Sequence, residues 1–167
     1  MDWFNLGILV GVALLIPTAY AGHIGAPYVP SRLAAVRRTY NELNIGAGDV
    51  VVDIGCNDGT FFNGFTRRLW KIGYEPGPNL VPLARDSTSV VFQQYFSAKP
   101  YQEFIRHESL IYRQKAKLVT AIAMFYDLDD PLKFLKDVHK IMRDDGTLVI
   151  QMNDLYSMIT QTTFDII

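Results

Sequence analysis

The residues best suited to chemistry lie in a few short stretches. Asp53 stands two places before Gly55, and Cys56, Asn57 and Asp58 lead on to a second glycine, Gly59. A glycine turn lets backbone approach a ligand, and a helix start behind it offers unpaired N–H groups to a polar or anionic group. Farther on, Glu75 ends an apolar run just ahead of Pro76-Gly77-Pro78-Asn79. A carboxylate only accepts hydrogen bonds and has two oxygens, so it matches a vicinal diol. A general base is harder to place; Tyr126 and Asp127, beyond the run Lys117–Phe125, are the remaining candidates.

The glycine register excludes two familiar ligands. Asn57 and Thr60 occupy the second and third glycine places of a G-x-G-x-x-G dinucleotide fingerprint, and the Gly-Lys-Ser/Thr of a P-loop is absent. Asn57 is the non-glycine residue type that best tolerates left-handed backbone. An ordinary strand-to-helix turn without a ligand is the competing reading of this stretch.

The elements that must position these residues alternate strand and helix. Val50, Val51 and Val52 read as a strand covered on both faces, and Phe61, Phe62, Phe65 and Leu69 follow at helical spacing. Leu69–Tyr74 predicts the second strand, with Glu75 at its end, where ligands of open α/β sheets bind. Val90–Phe92 predicts the third; Phe96 after it either stacks on a bound base or packs in the core. Ser97–Gln114 reads as amphipathic helix and loop, with His107 and Glu108 on a solvated face. Lys117–Phe125 is strand four. Asp130 and Pro131 open a helix whose buried stripe is expected at Leu132, Leu135, Val138, Ile141 and Met142. Arg143-Asp144-Asp145-Gly146 closes it ahead of strand five, Thr147–Met152, and Leu155–Thr160 adds a short helical stretch.

With 167 residues, a net charge of −1 and no basic stripe, the chain suits one ordinary domain, and a nucleic-acid surface is not favoured. Cys56 is its only cysteine, so neither an internal disulfide nor a cysteine zinc cluster is available, and no metal site is expected. Residues 3–21 are apolar apart from Asn5 and Thr18. A buried helix, a cleaved signal peptide ending at Ala19-Tyr20-Ala21 and a membrane anchor are the three readings. The anchor fits best, with Trp3 and Tyr20 at its ends, and Arg32, Arg37 and Arg38 behind it place the main domain in the cytoplasm. The expected division is then anchor (or signal peptide) over residues 1–22, a Gly/Pro linker with the lone His23 over 23–30, and one domain over 31–167. That domain begins with a helix capped by Ser31 and carrying Leu33, Val36, Tyr40 and Leu43.

The stretch DVVVDIGCNDGT, Asp49–Thr60, resembles motif I of the class I S-adenosylmethionine (SAM) methyltransferases, with Asn57 in place of the usual middle glycine. The resemblance implies a Rossmann-like three-layer α/β sandwich with a five-stranded parallel sheet in the order 3-2-1-4-5, here behind a transmembrane helix. It implies SAM across the carboxyl ends of strands one, two and four. Asp53, Gly55, Cys56, Asn57 and Gly59 would then line its methionine side near Ala121, Glu75 would hold the ribose and Phe96 would face the adenine.

The front portion, GAPYVPS…GDVVVDIGCNDGT, is similar to short bacterial methyltransferases with an N-terminal membrane segment, and to mitochondrial relatives that methylate a lysine of a membrane protein. The back, AIAMFYDLDDP…DDGTLVIQMNDL…TFDII, looks like the C-methyltransferases of nucleotide-linked deoxyhexoses. That family carries a cysteine-rich zinc domain in front and a Tyr/His-Glu-His cluster after its Phe-Asp-x-Ile element, and neither is among these residues. The expected acceptor is a small molecule, nucleotide sugars included, or a membrane-associated one. The alternative is a SAM-binding fragment acting as an interaction module. The domain is expected to be incomplete at its C-terminus, leaving strand five as an edge through which a homodimer can form.

Overall fold

Val50–Ile54 forms β1, and every residue in it is buried, as an uninterrupted β-branched run requires. It pairs in parallel with β2, Trp70–Tyr74, on one side and with β4, Ala116–Ile122, on the other. Outside β2 lies β3, Val90–Phe92, and outside β4 lies β5, Met142–Gln151, again in parallel. The sheet order is β3-β2-β1-β4-β5, as expected. This computed structural model describes Arg38 and residues 41–65, 68–107 and 114–152, all within one compact unit, Pro30–Phe164. The apolar segment 3–21, the linker, most of the Ser31 helix, the His107–Glu108 pair of side chains, Leu155–Thr160 and the terminal residues 164–167 lie outside the described residues. Among the described residues, no helix is long and apolar enough to cross a membrane.

Both faces of the sheet are covered. Val50, Val52, Ile54, Ile72, Tyr74, Val119 and Ala121 pack with Ala98 and Tyr101 of α2 (Ala98–His107) and with Phe134, Val138 and Ile141 of α3 (Pro131–Ile141). On the opposite face Val51 and Leu118 meet Ile45, Phe62, Phe65, Leu69 and Ala84, the last from α1 (Val81–Ala84).

Four local expectations are corrected. Phe61, Phe62 and Phe65 do not start a regular α-helix. Thr60–Gly64 is a short 3-10 helix, after which Phe65 is already extended at φ −104°, ψ 156°. Asn63 and Gly64 are weak helix formers. In addition, the ammonium of the buried Lys71, on β2, donates to the carbonyls of Phe62 at 2.8 Å and Phe65 at 3.4 Å. A cation therefore meets the carbonyl end that a longer helix would have carried onward.

In α3, Asp130 accepts the Lys133 N–H at 2.9 Å as a cap, as expected. The buried stripe, however, is Phe134, Asp137, Val138 and Ile141, while Leu132 is 67% exposed and Leu135 38%. The Phe134 ring meets Phe96 and Phe125 at centroid distances of 5.3 and 5.7 Å, and Asp137 is held by Lys133 and Lys140. An aromatic anchor and a paired acid thus set the rotation of the helix.

Strand β4 ends at Ile122 rather than at Phe125, because Ala123 turns into left-handed backbone at φ 53°. Finally, Arg143–Gly146 is not a turn before β5 but a bulge within it, the pairing stepping from Ala116↔Met142 to Leu118↔Thr147. The bulge is tied down at the amino ends of the strands: Arg143 bonds Asp49 at 3.0 Å, and Lys117 bonds Asp145 at 3.0 Å.

Candidate functional site

The turn after β1 is built on three left-handed residues, Gly55 at φ 78°, Asn57 at φ 50° and Gly59 at φ 79°. The N–H groups of Gly55 and Cys56 both donate to the Tyr74 carbonyl, at 2.9 and 3.0 Å, which fastens the turn to the end of β2. Asn57 tolerates its conformation partly because its own amide donates to the Gly55 carbonyl at 3.2 Å. Asp58 accepts both the N–H and the hydroxyl of Thr60 at 3.0 Å, so its carboxylate starts the 3-10 helix. Gly59 has no substitute: a Cβ there would collide with Ser87 Oγ and stand 3.0 Å from the backbone of Ala84.

Glu75 follows β2 and is only 5% exposed. Its Oε2 accepts the Asn57 N–H at 3.0 Å and its Oε1 the Gly77 N–H at 2.7 Å. Each carboxylate oxygen presents two lone-pair positions, so one on each remains for a further donor. Asp53, 3% exposed, faces β4, where Thr120 donates to its Oδ1 at 2.6 Å. Burial pushes the Asp53 carboxyl up to about 7; the Thr120 hydrogen bond opposes this, and the nearby charge of Glu75 adds to it. Its Oδ2 receives no hydrogen bond from the described residues.

Cys56 is placed differently. Its side chain is buried, with Sγ filling the space a Cβ on Gly73 would need, 2.5 Å away. Burial first, and then the charges of Asp53 and Glu75, push its thiol well above the usual range. The side chain therefore belongs to the core beneath the turn rather than to its rim. Ala121 is buried within the sheet between Ile54 and Ile150. Phe96 sits edge-on to Tyr74 at 5.0 Å and to Phe134, in the core cluster on the α2/α3 face. Tyr126 and Asp127 lie in a 3-10 turn, Phe125–Asp127, beyond β4; Tyr126 is 40% exposed, and burial followed by the charge of Asp127 raises its pKa.

Sequence reasoning missed three residues here. Thr120 meets Asp53 only through the β1–β4 register. Ser87, from the segment after α1, donates to the Gly59 carbonyl at 2.9 Å. Met124 follows the left-handed Ala123 and comes within 3.7 Å of where a Cβ on Gly55 would stand, so the turn after β4 covers the turn after β1. Among the described residues, no cluster of His, Cys, Asp and Glu can hold a metal ion.

Residues 28–162 match the family model of a methyltransferase domain. Several solved structures share the fold. One is an S-adenosylmethionine-dependent methyltransferase from Clostridium acetobutylicum, with TM-score 0.55 and 15% identity over 78% of this chain and 52% of that one. Another is the precorrin 8w decarboxylase of Methanobacterium thermoautotrophicum, with TM-score 0.56 and 11% identity over 80% and 70%. A third is the plantazolicin methyltransferase in complex with a pentazolic desmethyl analogue and SAH, with TM-score 0.55 and 13% identity over 77% and 49%. The chain spans about half the length of the first and third. No curated protein matches it in sequence. The family match covers most of the chain, and the sheet order and glycine turn agree with it: the chain belongs to the methyltransferase domain family and has the fold of SAM-dependent methyltransferases.

Proposed function

We propose that this chain binds SAM across the carboxyl ends of β1, β2 and β4 and transfers its methyl group to an acceptor. The observation that carries the reading is the union of the glycine turn with Glu75, through the Asn57 N–H. The donors and acceptors present fit the cofactor. Glu75 retains one acceptor position on each oxygen for the paired ribose hydroxyls. Asp53 retains Oδ2 for the ammonium of the methionine part. Gly55, Asn57 and Gly59 leave the turn without side-chain bulk on its left-handed residues other than Asn57. Cys56 and Ala121 contribute at most backbone, since both side chains are buried.

When bound, SAM supplies an electrophilic methyl group on a sulfonium. The chain's own residues hold and align, which is catalysis by proximity. A proton lost by the acceptor needs a base, and Asp127 beside Tyr126 is our candidate. Phe96 as an adenine contact has less support, because its ring is already engaged by Tyr74 and Phe134. The acceptor belongs to either of two classes, a small molecule such as a nucleotide sugar or a membrane-associated substrate. For the regions outside the described residues we propose a single membrane anchor at 3–21, a linker at 23–30, and a cytoplasmic domain from residue 31 onward. Pairing of two copies along β5 completes the proposal.

The test is calorimetry on the full-length chain in detergent. Both SAM and SAH should bind, and Glu75→Ala should weaken binding by about tenfold to a hundredfold, the equivalent of losing charged hydrogen bonds worth 1.5–3 kcal/mol. A folded protein that takes up neither compound overturns the reading.

A further inference from the structure

The loop that carries Glu75 holds a second residue with a role at that acid, on the footing of the methyltransferase reading above. The backbone of Glu75 is fixed to β3, its N–H donating to the Phe92 carbonyl at 3.0 Å. Its carboxylate is clamped between the N–H groups of Asn57 and Gly77. Proline has no N–H, so Pro76-Gly77-Pro78 offers a single backbone donor, that of Gly77. This donor makes the shorter of the two bonds, 2.7 Å against 3.0 Å. The Gly77 carbonyl is engaged as well, accepting from Leu80 at 3.1 Å and Val81 at 3.3 Å, which ties the donor to the start of α1.

The backbone itself does not call for glycine here. Gly77 lacks the positive φ of Gly55 and Gly59, so an L side chain suits its conformation. A Cβ on Gly77 would instead stand 2.8 Å from Glu75 Oε1, while Asn79 Oδ1 at 3.3 Å and Leu80 Cδ1 at 3.5 Å lie farther off. The obstacle is the end of a side chain, whereas at Gly59 it includes the backbone of Ala84. An alanine at this place is therefore housed by turning the carboxylate, not by rebuilding the loop. Turning it lengthens the 2.7 Å bond and re-aims the lone pairs left over for a diol.

We propose that Gly77 is a positioning residue for the ribose of the cofactor. Its N–H aims the Glu75 carboxylate, and its missing side chain leaves that carboxylate the room to face both hydroxyls. Gly77 thereby sets how sharply the chain distinguishes a ribose from a deoxyribose.

The experiment has two arms. Calorimetry on the full-length chain in detergent compares SAH with its 2′-deoxy analogue. The parent should prefer SAH by about tenfold, the weight of one hydrogen bond to a charged group. Gly77→Ala should narrow that preference to about threefold or less, chiefly by binding SAH more weakly, because a misaimed carboxylate loses the hydroxyl it no longer faces. A glycine needed only for the turn would lower both affinities together and leave the preference unchanged. The second arm needs no ligand and stays decisive if Gly77→Ala folds poorly. Urea unfolding of the parent, Gly77→Ala, Glu75→Ala and the double variant closes a mutant cycle. The alanine at 77 should be tolerated better in the Glu75→Ala chain than in the parent, since the atom in its way is gone. An unchanged preference in Gly77→Ala, a parent with no preference, or an equal effect of Gly77→Ala in both backgrounds overturns the proposal. Failure of SAH to bind the folded parent strikes the methyltransferase reading and removes this proposal with it.

Discussion

The backbone N–H of Asn57 donates to Oε2 of Glu75 at 3.0 Å, so the turn after β1 and the acid after β2 form one hydrogen-bonded unit before any ligand arrives. Gly77 supplies the second tie, to Oε1, from the other side. Glu75 therefore has a structural as well as a binding role. Glutamine keeps the size of glutamate but must set an NH2 group against one of two backbone N–H groups. We expect Glu75→Gln to lose roughly 1–3 kcal/mol of stability without ligand, as an unpaired buried polar group does. Urea unfolding of the ligand-free chain checks this; an unchanged midpoint would show that the two N–H groups are satisfied some other way.

Asp53 makes stability depend on pH in an unusual direction. Its folded carboxyl titrates near 7, above the ordinary value of 3.8, so between those limits the native state holds the proton more tightly than the unfolded one. Its contribution to stability accordingly falls as pH rises from about 4 to about 7 and is flat above, with a cost on the order of 4 kcal/mol at most. Asp53→Asn should remove this slope, unfolding like the parent near pH 4 and later than the parent at pH 8. A parent that gains stability through this window relative to the variant would contradict the assignment.

At Ala123, a φ of 53° puts an L side chain in the left-handed region at the end of β4. Glycine relieves strain of about 1–2 kcal/mol there but adds unfolded-state entropy of 0.4–1 kcal/mol. Ala123→Gly should thus be neutral to about 1 kcal/mol more stable, and Ala123→Val clearly less stable. Comparing the two midpoints decides the matter, and destabilisation by glycine would mean the left-handed turn is not strained.

The rotation of α3 has its own test. Phe134 is buried against Phe96 and Phe125, whereas Leu132 is 67% exposed. Phe134→Ala should cost about 3–5 kcal/mol and Leu132→Ala within about 0.5 kcal/mol. Equal losses at the two positions would restore the helix register expected from the leucine spacing.

What the sequence disclosed and what it withheld divide along physical lines. The Val50–Val52 run, the glycine turn, the position of Glu75 and the Asp130 cap are local signals, and the structure repeats them. The 3-10 helix is different, because the spacing of Phe61, Phe62, Phe65 and Leu69 carries no trace of Lys71, whose ammonium arrives from β2. A leucine stripe outranks Phe134 and Asp137 by hydropathy alone, and only the Lys133 and Lys140 pairs make the acid acceptable at the buried face. Thr120 becomes part of the site through strand register, which no local pattern encodes. Alanine gives no hint of left-handed backbone, so Ala123 was invisible.

Cys56 is the only thiol in the chain and is sealed between the glycine turn and Gly73. A buried thiol kept in its unreactive protonated form meets an alkylating reagent only when the turn lifts from β2. Its labelling rate is therefore a clock for that opening, already installed and in need of no engineered probe. Run with and without SAH, the clock reports how firmly a ligand fastens the turn, even in a preparation for which no methyl acceptor has been identified.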